Sequence, residues 1–175
     1  MPKGTIEKPL IIFGSNRAKG NTWQAVELVT KGRDAEIIDL QQYDFSEFDY
    51  DQGNQDDDFS KLTEKMLEHE KIVLATPIYW YSMSARMKKF IDRWSDFLTV
   101  NKEAGRKIRG KKLFVITSYY THPEGKADFE EVFKKICKYM GMEYSGCFFH
   151  YAGDKADMLA ANEENAENFA RKLFV

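Results

Sequence analysis

The chain has 175 residues, of which 43% are hydrophobic and 31% are charged, and its formal net charge is −2. This length fits one domain with its own buried core, and we expect residues 1–175 to form a single ligand-binding domain. A near-neutral chain without a basic cluster gives no indication of a nucleic-acid surface. No apolar run approaches the ~20 residues of a membrane span, so no membrane partner is expected.

The N-terminal residues and the cysteines both indicate a cytoplasmic protein. The first five residues, Met-Pro-Lys-Gly-Thr, lead straight into a strand-like segment and contain no apolar signal region. Cys137 and Cys147 are the two cysteines, and they do not form a C-x-x-C pair. We therefore expect a cytoplasmic protein in which both thiols are reduced and lie in the core.

Short apolar runs rich in β-branched residues alternate along the chain with longer segments of helical periodicity. In chain order the pattern predicts a strand at 9–13, a helix at 22–31, a strand at 35–40, a helix at 62–70, a strand at 72–76, a helix at 87–98, a strand at 113–117, a helix at 129–140, a strand at 146–151 and a helix at 158–173. Ser84 is the expected N-cap of the third helix, and Gly141 the expected stop of the fourth. The acidic segment 45–58 is predicted to be an exposed loop. This alternation predicts an α/β fold with a parallel sheet covered on both faces, but not its strand order.

The loop after the first strand, Gly14-Ser15-Asn16-Arg17-Ala18-Lys19-Gly20-Asn21-Thr22, has the donors of a phosphate site. Ligands of open parallel sheets bind beyond the carboxyl ends of the strands. This loop combines small polar side chains and cations with the partly positive start of a helix, which suits a terminal phosphate dianion. It matches neither the Walker loop nor the G-x-G-x-x-G fingerprint. The alternative is a surface turn with a solvated arginine.

The loop after the third strand, Thr76-Pro77-Ile78-Tyr79-Trp80-Tyr81-Ser82-Met83-Ser84, is unusually aromatic. Loops are generally polar, so three rings at the carboxyl end of a strand call for an explanation. A flat aromatic ligand would supply one, because rings stack on it and backbone amides meet its polar edge. The alternative is that these rings pack into the core or into a subunit interface.

Together, the segment 14–22 and the segment Thr-Pro-Ile-Tyr-Trp-Tyr-Ser-Met-Ser-Ala-Arg-Met-Lys-Lys-Phe-Ile-Asp-Arg at 76–93 resemble the NADPH-dependent FMN reductase group of flavodoxin-like proteins. The resemblance is close from about residue 8 to 120 and is one of architecture beyond that. It implies a flavodoxin-like doubly wound sheet of order 2-1-3-4-5, with FMN bound at the carboxyl ends of the strands. It also implies that the phosphate is held by Ser15, Arg17, Gly20, Asn21 and Thr22, and that the isoalloxazine ring is lined by Pro77, Ile78, Tyr79, Trp80, Ser82 and Met83.

The chain departs from this family pattern in two places. Some members carry an iron–sulfur cluster on cysteines after the second strand, but residues 43–58 contain no cysteine, so such a cluster is excluded. The loop after the fourth strand, residues 117–125, is commonly glycine-containing near the flavin, whereas here it is rich in Thr, Ser and Tyr. Ser118 and Tyr119 are therefore candidates for FMN contact, with a role on the substrate side as the alternative for Tyr119.

A flavin carries its own redox chemistry, so no catalytic side chain is expected. The three histidines show no metal-ligand spacing, and no metal is expected. Among them, His69 is predicted to be solvated, His150 to be structural, and His122 is a candidate contact for the nicotinamide or the acceptor.

The sequence thus predicts an FMN-dependent oxidoreductase that takes hydride from NAD(P)H and passes electrons to a quinone, flavin, nitro or azo compound. A non-enzymatic electron carrier is the main alternative, which the near-neutral charge disfavours. A nucleotide-binding regulatory protein without redox chemistry is another. We also expect a homodimer, because the aromatic loop and the helix end at 94–98 would expose apolar surface and because related reductases pair near the flavin.

Overall fold

The computed structural model describes residues 6–120 and 125–175. Within these ranges five strands form, at Leu10–Phe13 (β1), Glu36–Asp39 (β2), Lys71–Pro77 (β3), Lys112–Tyr119 (β4) and Glu143–Tyr151 (β5). The α-helices are Asn21–Thr30 (α1), Phe59–Glu68 (α2), Ala85–Asp92 (α3), Lys102–Lys107 (α4), Lys126–Met140 (α5) and Ala156–Leu173 (α6). Two 3-10 helices lie at Leu40–Gln42 and Arg93–Leu98. No helix of the described ranges is long and apolar enough to cross a membrane.

The five strands form one parallel sheet in the order β2-β1-β3-β4-β5. Helices α1 and α6 pack on one face, and α2, α3 and α5 pack on the other. Strands covered on both faces must be apolar on both, which is why β1 and β3 are continuous hydrophobic runs. The α/β class and the flavodoxin-like strand order are therefore confirmed.

Two helical predictions need correction. The segment predicted as one helix at 87–98 is α3 followed by a 3-10 helix, and the short helix α4 was not predicted. The predicted exposure of the 94–98 end is wrong for Trp94 and Phe97, since both rings are buried and only Leu98 is exposed. These rings pack with Phe59 and Phe90 on the α3 face of the sheet.

The segment 45–58, predicted to be an exposed loop, is anchored to the core by a buried arginine. Arg93 is 1% exposed, and its guanidinium donates to the carboxylate of Asp96 at 3.1 and 3.0 Å and to that of Asp57. The ring of Phe45 is buried, so the prediction is wrong at that end of the loop. We call the segment 45–58 the strap, because Lys89 of α3 and Arg93 just after α3 hold it in place through the carbonyl of Phe45 and the carboxylate of Asp57.

Asp57 is the carboxylate of the strap that compensates the charge of Arg93. It also accepts the backbone N–H groups of Ser46, at 2.9 Å, and of Phe59, at 3.0 Å. Burial raises the pKa of the Asp57 carboxyl, but the hydrogen bonds from Arg93 and these N–H groups outweigh burial, so the net pKa is lowered.

His69, predicted to be solvated, is fully buried at the amino ends of the strands. Its Nδ1 lies 2.8 Å from the carbonyl oxygen of Lys8, and its Nε2 lies 3.2 Å from a carboxylate oxygen of Glu36. The prediction failed because the sequence next to His69 does not indicate that the segment around Ile6 and Lys8 packs against it. His150 is also buried, and burial lowers the pKa of its imidazole.

Both cysteines are free thiols on the α5 side of the sheet. Burial raises the pKa of Cys137 to about 12 and that of Cys147 well above its ordinary value. Neither thiol is therefore activated as a nucleophile.

Candidate functional site

The carboxyl ends of β1, β3 and β4 meet at a cleft of about 240 Å³. The cleft brings together all the candidate residues of the first loop, part of the aromatic loop and the end of β4. Its lining consists of Ser15, Arg17, Gly20, Asn21, Thr22, Pro77, Ile78, Tyr79, Ser118, Tyr119 and Tyr120. Tyr120 was not predicted, because no motif distinguishes it from the other residues of its loop.

The first loop presents to this cleft hydrogen-bond donors that no described residue accepts from. Helix α1 begins at Asn21, and its N-cap residue, Gly20, has no side chain to cap it, so the first-turn N–H groups are available to an anion. Arg17 is exposed, and its guanidinium has no hydrogen bond or ion pair within residues 6–120 and 125–175. Ser15 is buried beneath it and accepts the Arg17 N–H at 3.3 Å. This donor set fits a terminal phosphate dianion, as FMN carries.

A hydroxyl pair adds a further donor at the base of the cleft. Thr22 Oγ1 on α1 lies 2.8 Å from Ser118 Oγ on β4, and both side chains are buried. One hydroxyl must donate to the other, so the second keeps its proton free to donate elsewhere. The pair thus links α1 to β4 and offers one more proton to a ligand.

Ser84 joins the phosphate-type loop to the aromatic loop. Its buried Oγ donates to the carbonyl of Gly14 at 2.5 Å and accepts the N–H of Met87 at 3.1 Å. Its own N–H donates to Thr76 Oγ1 at 3.0 Å. The predicted N-cap is therefore confirmed. Gly14 packs closely on α3, since a Cβ would lie 2.9 Å from Met87 Cε and 3.1 Å from Met87 Cβ.

The aromatic loop turns sharply between Tyr79 and Ser82, which exchange backbone hydrogen bonds of 2.9 and 3.0 Å. Trp80 and Tyr81 have φ of 50° and 63°, as in a type I′ turn. Bulky residues rarely adopt this conformation, which costs ~1–3 kcal/mol at each position. Trp80 is nonetheless 94% exposed and Tyr79 47% exposed. The alternative in which these rings pack into the core is therefore wrong for Tyr79, Trp80 and Tyr81.

The rest of this loop lies beside or beneath the cleft. Trp80, Ser82 and Met83 are absent from its lining, and Met83 is buried in the core on the α3 face. The ring of Tyr81 packs on Gly125, where a Cβ would lie 2.4 Å from Tyr81 Cδ1. His122, the other candidate from the sequence, lies outside the described residues.

Gln41 is a second residue that sequence reasoning missed. It follows β2, and its Nε2 donates to the carbonyl of Ser15 at 2.6 Å. Asp39 at the end of β2 accepts the backbone N–H of Gln41 at 2.9 Å. No motif around residues 39–41 could have indicated this support, which depends on the pairing of β1 with β2.

The geometry can be compared with known proteins. Residues 8–154 match the family model of the NADPH-dependent FMN reductases. The chain belongs to this family. It is 32% identical over 161 residues to YwqN of Bacillus subtilis (strain 168), which is named as an NAD(P)H-dependent FMN-containing oxidoreductase; the match covers 87% of this chain and 89% of YwqN.

Two solved structures show the same fold. That of the Trp repressor binding protein from Bacillus subtilis has a TM-score of 0.74 and 28% identity, and the match covers 95% of this chain and 97% of that chain. That of general stress protein 14 from Treponema denticola in complex with FMN has a TM-score of 0.66 and 19% identity, with coverages of 95% and 97%. At that identity the second comparison supports the fold alone.

Membership of the family and the donor set of the cleft agree. The chain is an FMN-dependent oxidoreductase of flavodoxin-like fold that uses NAD(P)H. The predictions of family, cofactor and enzyme class are thereby confirmed.

Proposed function

We propose that the whole chain is one FMN-binding domain that transfers electrons from NAD(P)H to a small-molecule acceptor: a quinone, a free flavin, or a nitro or azo compound. One observation carries this proposal: a phosphate-type donor set lines the same cleft as Tyr79, the residue at which a strained, exposed aromatic turn begins. An ordinary surface turn would need neither feature.

In this proposal the phosphate of FMN binds to the first loop. Arg17 gives a charge-assisted hydrogen bond, the start of α1 gives backbone N–H groups, and Ser15, Asn21 and Thr22 give short polar side chains. Gly20 supports this arrangement, because a Cβ at this position would lie only 3.2 Å from Arg17 Cβ and would crowd that side chain.

The isoalloxazine ring then lies along Pro77, Ile78 and Tyr79, with Ser118 and Tyr119 on the β4 side. The N–H of Ile78 donates to the carbonyl of Ser118 at 3.0 Å, which fixes the spacing of these two walls. Ser82 and Met83 support the turn rather than touch the ring: Ser82 pairs with Tyr79, and Met83 is anchored in the core.

FMN rather than FAD is expected, because the chain has no second nucleotide-binding fingerprint. Mass analysis of the ligand released by heat tests this, and FAD as the main species would contradict it.

Bound FMN would supply the redox chemistry. The protein would bind the flavin, orient it and exclude water from it. The exposed rings of Tyr79 and Trp80 offer a stacking surface at the rim of the cleft, where a nicotinamide and then a flat acceptor can lie in turn. Steady-state oxidation of NADPH with a quinone, and separately with a nitro compound, tests the acceptor class. No turnover with any of the four acceptor types would contradict it.

Membership of the reductase family disfavours a non-enzymatic electron carrier, the alternative function from the sequence, although the strap at 45–58 is acidic. A carrier would be reduced by a protein partner and would oxidise NADPH no faster than free FMN does. The same steady-state assay therefore separates the two functions.

We also propose a homodimer. A second copy of the chain would cover exposed apolar side chains, among them the rings of Trp80 and Tyr81 together with Leu98, Val100 and Tyr139. Sedimentation at micromolar concentration should show twice the 20.4 kDa of the chain. A 20.4 kDa species alone would contradict the dimer.

A further inference from the structure

A second, larger groove of about 440 Å³ runs along the free edge of β5, between the start of α5 and one face of α6. We call it the β5 groove. Tyr119 lines both this groove and the FMN cleft, so the two cavities adjoin at its side chain. The part of β5 that lines it, from Ser145 to Phe149 and again at Tyr151, extends for about 20 Å at the usual rise of a strand. Nothing in the FMN assignment uses this space.

The lining of the β5 groove has the chemistry of an anion site. Among the residues that the structure describes, its charged side chains are Lys126 and Lys172, and no carboxylate lines it. Asn165 and Asn168 add amide groups from α6, and the edge strand leaves backbone N–H groups unpaired. Apolar surface from Phe148, Phe169 and Met158 completes the floor. Cations, neutral donors and an apolar floor suit a ligand that carries both phosphate groups and an aromatic base.

Lys126 lies at the end of the groove that adjoins the FMN cleft. Its ammonium nitrogen is 4.1 Å from the centroid of the Tyr119 ring and 5.4 Å from that of Phe149. Cation–π contacts hold the charge there without neutralising it. No carboxylate of residues 6–120 or 125–175 forms an ion pair with Lys126. A cation is therefore fixed at the junction of the two cavities.

We propose that the β5 groove binds the diphosphate and adenosine portion of the reduced nicotinamide dinucleotide, with Lys126 on a phosphate and Lys172 at the far end. The inference rests on the proposed function, since the nicotinamide must occupy the FMN cleft for the rest of the molecule to enter the groove. The ligand runs from Tyr119 along β5 and places its base on the apolar floor.

Calorimetric titration of NADP⁺ into the oxidised, FMN-loaded protein tests this proposal. Lys126→Gln should raise the Kd about tenfold, as expected for the loss of a charge-assisted hydrogen bond. Lys172→Gln, at an exposed position, should raise it about threefold. Lys126→Arg should keep the Kd within about twofold of the wild type, because it keeps the charge. Lys138→Gln is the matched control, since Lys138 is exposed on α5 and lies outside the groove; its Kd should not change.

Titration of the apoprotein with FMN supplies the second readout. All four variants should bind FMN as the wild type does. A fall in FMN affinity of Lys126→Gln that equals the loss of NADP⁺ affinity would place Lys126 on the flavin and overturn the proposal. An unchanged Kd for NADP⁺ in Lys126→Gln or in Lys172→Gln would overturn it too. Failure of NADPH to reduce the flavin of the wild type would instead refute the proposed function, so the two failures are distinguishable.

Discussion

Replacing Ser84 with alanine should destabilise the protein and loosen the cleft together, because one hydroxyl supports two loops. The substitution removes the N-cap of α3, worth ~1 kcal/mol. It also leaves the carbonyl of Gly14, the residue that follows β1, without its donor in a buried position, at a cost of ~1–3 kcal/mol. The free energy of unfolding of the apoprotein should therefore fall by ~2–4 kcal/mol. At this chain length the Tm should fall by roughly 2–4 °C for each kcal/mol.

The assay is urea unfolding of the apoprotein, repeated at a fixed excess of FMN. If Ser84 also positions the cleft, the difference between Ser84→Ala and the wild type should be larger with FMN than without it, since weaker binding gives less stabilisation by mass action. Ser60→Ala is the control, because Ser60 is exposed on α2, and its effect should stay within ~0.5 kcal/mol. A loss below ~0.5 kcal/mol for Ser84→Ala would refute the reasoning on capping and buried carbonyls.

Three further perturbations test other parts of the account. Arg17→Ala should weaken FMN binding by ~1–3 kcal/mol at low salt, measured by fluorescence titration, whereas Lys19→Ala, outside the cleft, should not; equal effects would place the phosphate elsewhere. Trp80→Asn should raise the free energy of unfolding of the apoprotein by ~0.5–1 kcal/mol, because asparagine accepts positive φ, yet slow the flavin half-reactions in stopped flow; a destabilised variant would contradict the strain. For Asp57, whose folded-state pKa is lowered, the stabilisation should be complete above its ordinary pKa of ~3.9 and disappear as pH falls through the folded-state value. Asp57→Asn should therefore be less stable than the wild type at neutral pH, with a gap that narrows below pH ~4; a gap independent of pH would contradict the pairing with Arg93.

The sequence predicted the sheet well because periodicity reports burial on both faces directly. Every strand was located to within three residues, the largest difference being at β5, which starts at Glu143 instead of 146. That start is hidden by a bulge at Ser145, after which Gly146 takes φ of 133°. Because a bulge interrupts the regular alternation of side chains along a strand, the sequence pattern placed the start of β5 three residues too late.

The candidate site was predictable where the chemistry sits in a contiguous motif, and not where it depends on tertiary contacts. The loop at 14–22 could be recognised from its own residues. The partnership of Thr22 with Ser118, across 96 positions, could not. The buried role of Arg93 was likewise invisible, since its partner Asp57 lies in a segment whose composition indicates solvent exposure.

The most direct test of the central claim is the absorption spectrum of the purified protein, followed by anaerobic addition of NADPH. The account predicts bound oxidised FMN that is bleached by NADPH or NADH and recovers its colour when a quinone is added. A protein that binds no flavin, or one whose bound flavin neither nucleotide reduces, would contradict it.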